Sequence, residues 1–91
     1  MPDDPIMTIQ LLYFARLREV LGCESEYLAA PVTPWDVAGL LAHLRGRGGA
    51  WADELAAGKV FRVAVNQELA DQSTLIPPGA EVAIFPPVTG G

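Results

Sequence analysis

Cysteine and histidine are almost absent from this 91-residue sequence, which contains only Cys23 and His43. A single cysteine excludes an internal disulfide and any metal site built from several thiolates. His43 has no second ligand at helical spacing, so we expect a solvated helix residue. We interpret Cys23 as a packed residue and not as a sulfur-relay thiol. The sequence therefore predicts no metal site and no catalytic constellation of its own.

Basic residues are also scarce, with six Lys and Arg against eleven Asp and Glu and a formal net charge of -5. Phosphate contacts need a basic surface, so we expect no nucleic-acid partner. Long apolar runs are missing as well. No run approaches the ~20 residues of a membrane span, and the first residues carry acid where a signal peptide carries base. These features predict a cytoplasmic protein with no membrane partner.

What the sequence does contain is enough apolar surface for one small core. Hydrophobic residues make up 51% and charged residues 19%, which is typical of a compact chain. A chain of this length forms one domain. We predict a loose N-terminal leader at 1–6, a folded domain at 7–85 and a flexible tail at 86–91.

Hydrophobic periodicity predicts four main strands. Residues 7–15 are apolar on both faces, as in a central strand, and residues 24–30 read as an edge strand that ends at a proline. Residues 60–65 alternate and are followed by an Asn-Gln turn, and residues 81–85 form the last strand. Residues 16–22 are predicted to form a short helix that ends at Gly22.

One amphipathic helix is predicted between the second and third strands. Thr33 and Asp36 match a capping box with Pro34 at the first helical position, and Val32 and Val37 match a hydrophobic staple. An apolar stripe follows at helical spacing, formed by Val37, Leu40, Leu41 and Leu44. The order of elements predicts an α+β roll, in which a mixed sheet of four to five strands is covered by one main helix.

The C-terminal segment combines a stiff stem with a slim tip. Pro86 and Pro87 fix φ and lack N–H groups, so they end the last strand and favour an extended, unpaired segment. Gly90 and Gly91 have no Cβ and fit clefts that other residues cannot enter. Extended, residues 86–91 span roughly 20 Å. We expect the Gly91 carboxylate to be the reactive group of the protein.

Three blocks of sequence carry a family resemblance over nearly the whole folded chain. They are Tyr13-Phe14-Ala15-Arg16-Leu17-Arg18-Glu19, Val63-Ala64-Val65-Asn66-Gln67, and residues 79–91, which end in Phe85-Pro86-Pro87-Val88-Thr89-Gly90-Gly91. With these blocks the sequence resembles the small, sulfur-carrying subunit of molybdopterin synthase, a ubiquitin-like β-grasp protein. Relatives commonly have Asp where this chain has Ala80, which loses a turn-favouring side chain and leaves the tail untouched.

The resemblance implies a carrier that is not an enzyme on its own. Gly91 is expected to be adenylated by a ubiquitin-activator-like enzyme that consumes ATP, and a persulfide donor then converts it to a thiocarboxylate. Phe85, Pro86, Pro87, Val88, Thr89 and Gly90 are expected to insert into the large catalytic subunit, where sulfur passes to a cyclic pterin precursor. A dithiolene needs two sulfurs, which suits a heterotetramer with paired carriers. No tightly bound cofactor is expected.

The sequence also suggests residues for a docking face, and it leaves three alternative functions open. Phe14 and Phe61, with Phe85, are candidates for an apolar docking face, and each also fits a core position. A sulfur carrier for thiamine biosynthesis also ends in Gly-Gly, but those chains generally lack the Phe-Pro-Pro-Val-Thr stem. A ubiquitin-like modifier joined to lysines through Gly91 is a further alternative. The last is an interaction module whose tail is irrelevant.

Overall fold

The computed structural model of the protein describes residues 8–56 and 58–87. Within these residues strands and helices mix along the chain, as the sequence predicts. The elements are β1 (Thr8–Tyr13), α1 (Ala15–Leu21), β2 (Ser25–Ala29), α2 (Val37–Arg45), α3 (Gly49–Glu54), β3 (Arg62–Val65), β4 (Glu68–Ala70) and β5 (Glu81–Phe85).

The strands form one mixed sheet in the order β2-β1-β5-β3-β4. The central pair, β1 and β5, runs parallel, and the other three pairs are antiparallel. β2 is an edge strand and β1 a central one, as predicted. The expected α+β roll, with a mixed sheet and one main helix, is confirmed. None of the helices in the described part of the chain is long and apolar enough to cross a membrane.

The core lies between α2 and one face of the sheet. Ile9, Leu11 and Tyr13 alternate inward along β1, and Val82 and Ile84 do the same along β5. The predicted stripe of α2 packs against them, with Val37, Leu40, Leu41 and Leu44 all at most 3% exposed. The α2 stripe was therefore identified correctly from its spacing.

The start of α2 differs from the sequence-based expectation. The helix begins at Val37, and Asp36, not Thr33, is its N-cap residue. The Asp36 carboxylate accepts a hydrogen bond of 2.8 Å from the backbone N–H of Gly39. Asp36 is extended because it bridges Leu75 in a β-type contact, so the helix cannot start earlier. The capping box at Thr33 is wrong by one helical turn.

The expected hydrophobic staple is wrong for the same reason. Val32 is fully exposed, whereas Val37 is buried, so the two side chains do not pack together. The backbone N–H groups of Val37 and Ala38 donate to the carbonyls of Thr74 and Gln72, each at 3.0 Å. This loop fixes the approach to α2 in place of a staple.

Turns fall where glycine and asparagine permit left-handed backbone angles. Gly22 ends α1 at φ 67°, as predicted from its position. Asn66 and Gln67, at φ 51° and 70°, join β3 to β4 in a two-residue hairpin. The strand expected at 60–65 begins at Arg62, two residues later than its alternation indicated.

Candidate functional site

The root of the tail is held by the centre of the sheet. β5 pairs with β1 on one side and with β3 on the other, as far as Phe85. Val82 and Ile84 are completely buried, which anchors the strand in the core. Pro86 and Pro87 follow directly and carry no N–H group to continue the pairing. The segment after Phe85 therefore leaves from a base that is rigid on both sides.

The sheet face opposite α2 carries an apolar row. Strand register places Leu12 beside Ala83, Ala83 beside Ala64, and Ala64 beside Leu69. Along β1, β3 and β5 these positions alternate with residues of the core cluster, so their side chains share the face that α2 does not cover. Leu69 is 74% exposed. A contiguous row of apolar side chains that ends in an exposed leucine is typical of a contact surface.

Two aromatic residues extend this row toward the tail. Phe85 follows Ala83 on the same face, and Phe14 lies next to it because the Phe14 N–H donates to the Ile84 carbonyl at 3.3 Å. Phe14 is 44% exposed. Ala15 then takes a left-handed φ of 54°, which turns the chain sharply into α1. We call the resulting surface the apolar sheet face; it comprises Leu12, Phe14, Ala64, Leu69, Ala83 and Phe85.

Phe61 does not belong to this surface. It packs against the core cluster on the α2 side, half-buried. There it lines a groove of about 140 Å³ together with Leu17, Lys59 and Pro86, beside the root of the tail. The structure thus brings Phe14 and Phe85 together and places Phe61 on the other side of the sheet. Leu69 was not among the sequence-predicted site residues, although its strand register would have revealed it.

The predicted tail-insertion residues are only partly covered by the structure. Phe85, Pro86 and Pro87 are half-buried at the end of β5. Val88, Thr89, Gly90 and the predicted reactive residue Gly91 lie outside the described residues.

Cys23 and His43 occupy separate places in the fold. Cys23 is half-buried, and its Sγ donates to the Ser25 carbonyl at 3.4 Å. His43 is exposed and lies against the Trp35 ring at a centroid distance of 4.8 Å. Among residues 8–56 and 58–87, no group of three His, Cys, Asp or Glu side chains is arranged to hold a metal ion.

A polar network ties the edge strand β2 to the connection after α2. The Arg47 guanidinium makes two hydrogen bonds of 2.9 Å to the Glu26 carboxylate, which also accepts one of 2.8 Å from the Tyr13 hydroxyl. Arg47 lies 4.4 Å from the centre of the Trp51 ring, and Tyr13 meets the same ring edge-on. Bidentate pairing and ring stacking fix the guanidinium in one geometry.

This network changes the acidity of its members. Burial, and then the hydrogen bond to Glu26, raise the pKa of Tyr13. Burial alone would raise the pKa of Glu26, but the hydrogen bonds from Arg47 and Tyr13 outweigh it and hold that pKa below its usual value of 4.5. Glu26 is therefore charged in the folded protein at neutral pH, and its charge stabilises the fold.

We expect Glu26→Gln to lower stability by about 1–3 kcal/mol at neutral pH, because it removes the charge that both donors bind. A carboxylate with a depressed pKa stabilises the fold above its unfolded pKa and loses this effect as the pH falls. The difference between wild type and variant should thus shrink as the pH drops below 4.5. Urea unfolding over a pH series measures it.

Glu24→Gln is the matched control for this prediction. The Glu24 side chain is 78% exposed and lies 3.6 Å from Arg18 in a surface ion pair. Its loss should change stability by less than about 0.5 kcal/mol. A Glu26→Gln protein as stable as wild type at neutral pH would show that the network contributes nothing.

The sequence of this chain is similar to a known protein family and to individual known proteins. The profile of the ThiS family matches residues 11–91. The molybdopterin synthase sulfur carrier subunit of Escherichia coli is 40% identical to this chain over 83 residues, which cover 91% of this chain and 99% of that protein.

Solved structures agree with the sequence comparison. The crystal structure of small archaeal modifier protein 1 from Haloferax volcanii superposes with a TM-score of 0.72 at 27% identity, covering 89% of this chain and 98% of that one. A chain from the complex of subunits 1 and 2 of molybdopterin-converting factor from Helicobacter pylori gives a TM-score of 0.63 at 26% identity, covering 93% and 100%. Both similarities span the whole sheet and its helices.

Proposed function

The chain belongs to the ThiS family, and we propose that it is the sulfur-carrier subunit of a molybdopterin synthase. The observation that carries this proposal is the 40% identity to the Escherichia coli sulfur carrier subunit, across 99% of that protein. The family match continues through residue 91 and so includes the Gly-Gly pair. In this role the chain is a substrate of other enzymes and not itself a catalyst.

The chemistry of the carrier starts at the Gly91 carboxylate. A carboxylate is ionised at neutral pH and has no usable leaving group, so it must be activated before sulfur can enter. A partner enzyme related to ubiquitin activators transfers AMP from ATP to Gly91 and releases pyrophosphate. The terminal sulfur of a persulfide donor then attacks the acyl carbon and displaces AMP, which leaves the donor joined to Gly91 through an acyl disulfide. A thiol attacks the donor sulfur of this disulfide, forms a new disulfide with the donor and releases the sulfur on Gly91. The product is a thiocarboxylate at the tip of the tail.

The sulfur is delivered in the large catalytic subunit. The tail enters that subunit, and the thiocarboxylate sulfur passes to a cyclic pterin precursor to build the dithiolene of molybdopterin. Each tail carries one sulfur and a dithiolene needs two, so two carriers serve each precursor, as in a heterotetramer. The complex of subunits 1 and 2 in Helicobacter pylori supports the pairing with a large subunit.

The geometry of the described residues supports a carrier that presents its tail while its partners carry out the catalysis. β5 is fixed on both sides by β1 and β3, so the tail leaves the domain at a defined point. The apolar sheet face lies beside that point and carries the apolar and aromatic side chains that protein partners bury. We assign docking on the large subunit to this face. In the proposed function the activating enzyme consumes ATP, and the carrier itself binds no cofactor tightly. We place the carrier in the cytoplasm.

Leu69→Asp tests this assignment. It places a charge on the apolar sheet face at its β4 edge, where Leu69 is 74% exposed and so contributes little to folding. Only a minority of interface residues contribute more than about 1 kcal/mol when truncated, but an unpaired charge buried in an interface costs more than a truncation. We expect the affinity for the large subunit to fall by at least ~10-fold, which corresponds to about 1.4 kcal/mol in a titration.

Leu75→Asp is the matched control. Leu75 is 67% exposed, but it lies on the loop that bridges Asp36, on the α2 side of the sheet. Its substitution should leave the affinity within about 2-fold, a change worth only a few tenths of a kcal/mol. If both variants lost affinity equally, or if Leu69→Asp lost none, the apolar sheet face would not be part of the interface.

Attachment to protein amines is a second candidate function. The similarity to small archaeal modifier protein 1, at 27% identity and a TM-score of 0.72, favours it. The activation of Gly91 would be the same, with a lysine amine attacking the acyl-adenylate instead of a sulfur donor. Isopeptide conjugates in cells that make the Gly91 form, and none in cells that make a chain without Gly91, would support it.

A further inference from the structure

Basic side chains gather where β5 passes into the tail. Arg62 is exposed and lies opposite Phe85 in the register of β3 and β5. Arg16 and Lys59 line the groove that also contains Pro86. Three of the six basic residues of the chain therefore surround the root of the tail. We call Arg16, Lys59 and Arg62 the basic collar.

The collar carries a net positive charge on a chain with a formal charge of -5. Glu54 is the one carboxylate among the residues lining the groove with Pro86, and it pairs with Arg16 at 3.2 Å. Neither Lys59 nor Arg62 forms an ion pair with any residue in the ranges 8–56 and 58–87. Two cations at the tail root thus remain available to a partner.

One more carboxylate lies near the collar. Asp71 lines a shallow groove with Lys59 and Arg62. Its Oδ1 accepts hydrogen bonds of 2.8 to 3.1 Å from Ser73 and Thr74, so the local loop already satisfies it. These bonds leave the Asp71 carboxylate ionised, so Glu54 and Asp71 together offset two of the three positive charges of the collar, and 3 − 2 leaves a net charge of +1 at the tail root.

We propose that the basic collar docks on a rim of carboxylates around the opening of the large subunit that takes the tail. The inference rests on the proposed function and adds the chemistry of the partner surface. A negatively charged chain is repelled by carboxylates in most orientations. The collar attracts carboxylates at the root of the tail, so it favours the orientation in which the tail points into the opening. Complementary charge of this kind raises association rates more than affinity.

The test is the association rate of the full-length chain with the large subunit, measured by stopped-flow over a range of salt concentrations. The double variant Lys59→Gln, Arg62→Gln removes two positive charges at the tail root. The double variant Val32→Glu, Gln67→Glu changes the net charge by the same amount at exposed positions at the other end of the sheet. It is the matched control.

We expect the collar variant to associate about 10-fold more slowly at low salt, with the difference closing as salt screens the charges. The control should stay within about 3-fold of wild type at ~0.1 M salt, where its charges lie beyond a Debye length of ~10 Å from the opening. If the association rate of the wild type did not fall with salt, or if both variants had equal effects on it, the proposed role of the basic collar would be wrong and the carrier function would stand. Failure of the wild-type chain to bind the large subunit at all would overturn both.

Discussion

Deleting Gly91 should abolish sulfur transfer. The activated carbonyl belongs to the last residue, so the deletion moves the reactive carbon back by about 3.5 Å along an extended tail. Misplacements near 1 Å already cost ~100-fold in rate when reactive groups must align. The assay is molybdopterin synthase turnover in the presence of the activating enzyme, ATP and a persulfide donor. Activity should fall to the level found without the carrier.

Folding should be unaffected by the same deletion. The last residue of the core sheet is Phe85, several positions before Gly91, and the paired strands end there. Thermal unfolding should remain within about 0.5 kcal/mol of wild type. A chain shortened by one residue at its N-terminus is the control for a general effect of length. If the protein lacking Gly91 supported normal turnover, Gly91 would not be the residue that carries the sulfur.

Leu41→Ala should be the most damaging single change to the fold that we predict. Leu41 is 3% exposed and belongs to the core cluster between α2 and the sheet. Truncation loses the transfer free energy of the side chain and leaves a cavity, at a cost of about 2–5 kcal/mol. That is a large share of the roughly 5–15 kcal/mol that stabilises a domain. Chemical denaturation measures the difference.

Leu75→Ala separates core packing from a general effect of losing leucine. Leu75 is 67% exposed, so the same truncation creates no cavity and should change stability by less than about 0.5 kcal/mol. A loss below about 1 kcal/mol in Leu41→Ala would mean that the stripe of α2 does not pack as the structure shows.

The sequence predicted those parts of the fold in which the residues that set the local hydrophobic pattern are also the residues that fill the core. The α2 stripe was readable because the same side chains that give a helical period also fill the core. β5 at Glu81–Phe85 was predicted with its observed bounds, because Gly79 before it and Pro86 after it exclude other boundaries. Here the local signals left few competing structures.

The start of α2 was not predictable in this way. Thr33 and Asp36 are both good cap residues, so local propensity alone does not choose between them. The choice is made by the Asp36 bridge to Leu75, a contact between segments far apart in sequence. Tertiary pairing of this kind leaves no local pattern.

The candidate site shows the same limit. Phe14 and Phe61 are both aromatic residues within predicted strands, and composition gives no reason to separate them. Strand register separates them, since it places Phe14 beside Phe85 and Phe61 on the side of α2. Register also adds Leu69 to the apolar sheet face, through its pairing with Ala64. The β3–β4 register could be read from the two-residue turn between them, whereas the pairing of β1 with β5, which brings Phe14 to Phe85, is not fixed by any single segment.

The mass of the intact chain after incubation with the activating enzyme, ATP, a persulfide donor and a thiol reductant tests the central claim most directly. The account predicts that one oxygen is replaced by one sulfur, that the change maps to the fragment containing Gly91, and that Cys23→Ser undergoes it equally. Addition of the large subunit and the pterin precursor should then restore the carboxylate. An unchanged C-terminal fragment, or sulfur found on Cys23 instead, would contradict the account.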